Sequence, residues 1–97
     1  MLGKIIVLLD NYGVNSKSNG FYYTKEVLEN VYFNIKNNNK YKLNTFIKEI
    51  ALRENKSVST IKNSIRYAVT SHNTIGGNLT LKDLERIIKK KVESGEI

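Results

Sequence analysis

Four stretches of this chain carry apolar residues three or four positions apart, a spacing that leaves stacked helices as the way to bury them. Between Thr24 and Asn37 the recurring positions are Val27, Leu28, Val31, Tyr32 and Ile35. Between Asn44 and Arg53 they are Phe46, Ile47, Ile50 and Ala51. In the segment "NKSVSTIKNSIRYAV" they are Val58, Ile61, Ile65, Ala68 and Val69, and near the end Leu81, Leu84, Ile87, Ile88 and Val92. Short polar breaks separate the stretches: "NSKSNG", "NNNKYK", "ENKS" and "SHNTIGGN". The expected architecture is all-α, with residues 1–97 forming one compact domain of about five helices.

Residues 3–14, "GKIIVLLDNYGV", admit two readings, a buried parallel strand or a short helix. No other β-branched run is present to pair with a strand, which favours the helix. Start signals accompany the later segments. Thr24 is the expected cap of the second helix, and Ser57 the N-cap of the fourth. Thr80 with Asp83 makes a capping box for the last. Lys89, Lys90 and Lys91 fall in that helix's final turns, where cations suit the dipole.

With 97 residues, the chain has room for one modest core. Its 16 Lys and Arg outweigh 9 acids, for a net charge of +7. Such an excess favours a polyanionic partner, although 13 of the cations are Lys, which, like the 13 Asn and 11 Ile, also follows from A/T-rich codons. There is no Cys, so disulfides and thiolate metal sites are excluded, and the lone His72 has no second His to form a ligand pair. No cofactor or metal is expected. The acids Glu26, Glu29 and Glu49 are scattered, no nucleophile–base pair or phosphate-cradling loop is visible, and Gly76-Gly77 reads as a turn; an enzyme is not expected. No membrane span and no signal peptide are visible, so the expected location is the cytoplasm and the expected partners do not include a membrane.

The two middle helices, near 44–54 and 57–71, join through a break of three or four residues, the layout of a helix-turn-helix. Ala51 lies where the first must approach the second, Asn55 sits where a left-handed backbone residue is needed, and Ile61 plugs the second into the core. With Val58, Ile61, Ile65 and Ala68 inward, Ser59, Thr60, Lys62, Asn63, Arg66 and Tyr67 face outward. No acid is among them, and each can donate a hydrogen bond to a phosphate or a base edge. Lys56 and Ser57 stand at the start of this helix. Lys56, Ser57, Ser59, Thr60, Lys62, Asn63, Arg66 and Tyr67 are therefore the expected contacts to double-stranded DNA, with lysines positioning the helix and Thr60, Asn63 and Arg66 reading sequence.

Two blocks resemble the C-terminal effector domain of the master sporulation response regulator, the stage-zero sporulation protein A family. "GFYYTKEVLENVYFNI", Gly20 to Ile35, is similar to that family's Gly-aromatic-x-Tyr-x-basic-Glu start and Val-Tyr-x-x-Ile continuation. Ile50 to Val69 is similar to its helix-turn-helix, with Ile50, Ala51, Asn55, Ser59, Ile65, Arg66 and Ala68 in place. "IIVLLDNYGV" is similar to the family's first helix, which favours the helical reading there. The resemblance covers roughly the first 70 residues.

It implies a DNA-binding transcription regulator whose recognition helix reads TGTCGAA-type boxes, as a homodimer or as tandem copies on DNA. Arg66 keeps the family's residue, whereas Thr60 and Asn63 stand where the family has Arg, and Lys62 where it has Glu. A Glu-to-Lys exchange on a base-reading face shifts base preference. No receiver domain is present, so the chain is expected to be a stand-alone relative or a piece of a longer protein. The segment after the recognition helix is shorter than the family's, where surface contacting RNA polymerase lies. The alternative expectation is a non-catalytic protein-interaction module that modulates a related regulator or the polymerase.

Overall fold

The computed structural model describes residues 2–70 and 79–97. The expected loop across residues 71–78, with His72 and the Gly76-Gly77 turn, lies outside the described residues. The rest is all-helical: α1 (Leu2–Asn11), α2 (Asn19–Lys36), α3 (Leu43–Glu54), α4 (Val58–Thr70) and α5 (Leu81–Glu93). Residues 2–11 are thus helix and not strand, as the lack of pairing partners required.

Because α2 is the longest helix and apolar on several sides, it becomes the central post. It packs against α1, α3, α4 and α5, while α4 also meets α3 and α5. Its Val27, Leu28 and Val31 are fully buried, joined by Ile5 and Leu9 of α1, Ile50 of α3, Ile61 and Val69 of α4, and Leu84 and Ile88 of α5. The apolar positions read from the sequence are therefore the core, with Tyr32, Ile35, Val58, Leu81, Ile87 and Val92 packed at its margin.

Four helices end in one way. Gly13, Asn38, Asn55 and Gly95 follow α1, α2, α3 and α5, each with φ between 55 and 78°. After each, the next residue's N–H reaches back five positions: Val14 to Leu9, Asn39 to Asn34, Lys56 to Ala51 and Glu96 to Lys91. This is the Schellman closure, in which a left-handed residue turns the chain back over the last carbonyls. Gly and Asn are the residues that tolerate it, so these ends are written into the sequence.

One boundary differs from expectation. Thr24 does not cap α2; the helix starts six residues earlier in the chain, after Ser18, and Thr24 is buried inside it. Its Oγ1 donates to the Gly20 carbonyl at 2.6 Å, a bond back along the helix and not forward to an orphan N–H. Asn19 and Gly20, expected in the loop, belong to the first turn. The physical reason is tertiary. A Cβ on Gly20 would lie 1.9 Å from the Ser64 carbonyl oxygen, so this glycine is present to let α2 cross α4, not to end structure. By contrast, the Thr80–Asp83 capping box forms in full: Asp83 N–H donates to Thr80 Oγ1 at 3.1 Å and Thr80 N–H to Asp83 Oδ2 at 3.0 Å.

The break after α2 is latched to α5. The Tyr41 hydroxyl donates to Glu85 Oε2, its ring stacks on Phe46, and Lys89 Nζ sits 5.6 Å from the ring centroid. Burial, reinforced by Glu85, holds the Tyr41 phenol well above its ordinary titration range.

Candidate nucleic-acid interface

The α3–α4 junction is built from three short-range devices. Asn55 has φ 55° and ψ 46°, and the Lys56 N–H closes on the Ala51 carbonyl at 2.9 Å. Ser57 Oγ then accepts from the Thr60 N–H at 3.1 Å, capping α4 as expected. Finally, Ile61 and Ala51 are both buried, so each of the two packed helices commits a side chain near the turn to the core. A three-residue connection with these fixtures leaves α4 little freedom relative to α3.

With Ile61, Ile65, Ala68 and Val69 committed to the core, the opposite side of α4 is set by helical geometry. Ser59, Thr60, Lys62, Asn63, Arg66 and Tyr67 are all exposed there, and Lys56 and Ser57 are exposed at its start. All eight expected residues thus share one continuous surface. Two are partly engaged: the hydroxyls of Ser57 and Thr60 lie 2.8 Å apart, so this pair orders the first turn while remaining on the surface.

Electrostatically the face is one-sided. No acid lies on α4, and Lys56 shares a shallow hollow with Glu26 and Glu54. Both carboxylates are held by Arg53, which donates to Glu26 at 2.8 and 2.9 Å and to Glu54 at 3.4 Å. The Glu26 hydrogen bond, aided by its charge, drives the Arg53 pKa even higher, so this cation is engaged by neighbouring acids. Lys56, Lys62 and Arg66 make no ion pair among the described residues.

Sequence reasoning missed one part of this surface. The Gly20–Ser64 crossing brings Ser18 and Asn19, at the start of α2, beside Thr60, Asn63 and Tyr67 in one hollow of about 420 Å³. The signal was Gly20 itself, read as a loop end when it is a helix crossing. No group of His, Asp or Glu among the described residues could hold a metal, and no described helix is long and apolar enough to cross a membrane.

The fold and this surface define an all-α domain with one acid-free polar helix face. Compared with family models, with curated proteins and with solved structures, the chain matches none.

Proposed function

We propose that this protein is a non-catalytic, sequence-specific DNA-binding transcription regulator that lays α4 in the major groove. One observation carries the reading: six exposed side chains on one helix, all hydrogen-bond donors and none acidic, standing on a helix locked from below by Ala51, Asn55 and Ile61. A solvated face serving only solubility has no need to exclude Glu over the whole 13-residue helix. Major-groove readers present such a helix N-terminal half first. Lys56 and Lys62 contact phosphates, while Thr60, Asn63 and Arg66 meet base edges, Asn63 suited to adenine and Arg66 to guanine.

The resemblance to the sporulation regulator's effector domain supplies the finer expectations, among them a cytoplasmic regulator acting as a dimer or as tandem copies, with or without a polymerase contact. Its test is fluorescence anisotropy on a duplex with two tandem TGTCGAA-type boxes against a scrambled duplex at several salt concentrations. Binding to the boxes tighter by about a thousandfold supports both reading and box. Failure to bind either duplex at low salt overturns DNA binding.

A second reading draws on α1, where Ile6 and Val7 are 41% and 57% exposed on a helix whose other side already fills the core. Exposed apolar residues on the outer side of a helix favour coverage by a partner, which is what a protein-interaction module would need. Substituting both by Lys separates the readings, because a DNA reader keeps its duplex affinity.

A further inference from the structure

A cleft of about 680 Å³ opens where the first turns of α3 and α5 meet the C-terminal half of α4. Its floor is Ile65 and Val69, and Leu43, Leu79 and Leu81 stand half-buried around it, leaving apolar surface open inside a small domain. Lys62, Arg66 and Lys82 complete the wall, and no carboxylate lines it among the described residues. None of these three cations is ion-paired among the described residues. The other large hollow, of about 720 Å³, also carries lysines but is lined by Glu85, which already serves Tyr41 and Lys89.

An apolar floor, a cationic wall and a volume within the usual small-molecule range of about 300–1,000 Å³ together specify an amphipathic anion. A carboxylate or sulfonate would gain charge-assisted hydrogen bonds from the wall while its apolar body covers the leucines. We propose that this cleft binds a small amphipathic organic anion, and that the bound anion draws Lys62 and Arg66 away from DNA. The site stands on its own lining; the coupling rests on the DNA-binding reading, since the same two side chains serve both. A ligand that draws them into the cleft weakens duplex affinity, and DNA then weakens the ligand by the same factor.

The test uses the full chain labelled with ¹⁵N and the probe 1-anilinonaphthalene-8-sulfonate, with N-phenyl-1-naphthylamine as the same ring system without charge. The sulfonate is expected to shift amide signals in the first turns of α3 and α5 and the second half of α4, and to bind at least about tenfold more tightly than the neutral amine. Lys82→Glu keeps the helix, because an acid suits a first helical turn, and is expected to weaken the sulfonate at least about tenfold. Equal affinity for the two probes, indifference to Lys82→Glu, or shifts centred on another surface would overturn the site. A rotational correlation time that doubles with protein concentration and returns to the monomer value in Lys82→Glu would place a second copy there and also overturn it. Saturating sulfonate is expected to raise the dissociation constant for a bound duplex in the native chain and to have little effect in Lys82→Glu. Unchanged duplex affinity would overturn the coupling alone, whereas a native chain that binds the sulfonate in the cleft and no duplex would overturn the DNA reading and leave the site.

Discussion

Gly20 meets the backbone of Ser64 so closely that a methyl group on Gly20 would lie 1.9 Å from the Ser64 carbonyl oxygen and 2.9 Å from Ala68 Cβ. This approach sets how α2 crosses α4, and it places the start of α2 beside the exposed face of α4. The chain reinforces the spot from the other side, where the Asn15 N–H donates to the Ala68 carbonyl at 2.9 Å.

Gly20→Ala is therefore expected to be severe. Overpacking costs about 1–3 kcal/mol, and here the obstruction is main chain, which cannot rotate away. A loss near 3 kcal/mol would lower the melting temperature of a domain this size by roughly 12–24 °C. Thermal unfolding followed by circular dichroism reads it; a shift of only a degree or two would mean that α2 and α4 part at little cost.

The same helix pair explains where sequence reading succeeded and failed. The core was legible because apolar spacing over each helix is long enough to be unambiguous, and the end of α3 at Asn55 because few residues accept a left-handed backbone. The start of α2 was not. Gly20 punctuates loops and also permits helix crossings, and only Ser64, 44 positions away, decides between them. Thr24 misled for a related reason: a buried hydroxyl can bond back to the carbonyl four residues earlier as readily as it caps a helix. The exposed side of α4 was legible once its buried side was known. The salt link from Arg53 to Glu26 and the cleft between α3, α4 and α5 were not, since they join residues far apart in the chain.

Asn55 tests the turn before α4. Its backbone is left-handed, so Asn55→Gly is expected to leave stability within about 0.5 kcal/mol, whereas Asn55→Val is expected to cost about 1–2 kcal/mol. Chemical denaturation of the two variants checks this ordering, and equal stabilities would show that the turn imposes no such demand.

Tyr41 supplies a pH dependence. Its folded pKa lies above the unfolded value of about 10, so the stability it contributes is complete below that pH and is lost as pH rises toward the folded pKa. The stability difference between the native chain and Tyr41→Phe is expected to hold constant from neutral pH to about pH 9 and to shrink above about pH 10. Denaturant titrations at fixed pH values measure it; a difference that varies around neutrality would put the phenol in an ordinary environment.

Lys56 separates positioning from reading. As a phosphate contact, Lys56→Gln is expected to weaken all duplexes alike and to reduce the slope of log affinity against log salt by about 1. A change in sequence preference with an unaltered slope would instead make Lys56 a base reader.

That α4 reads sequence is tested by selection from a pool of duplexes with a randomised core, followed by anisotropy on the recovered site. A sequence-reading α4 is expected to enrich one motif, bound at least about a thousandfold more tightly than scrambled DNA, with most of that preference lost in Arg66→Ala. A pool that stays random through successive rounds, with Arg66→Ala binding as the native chain does, would contradict it.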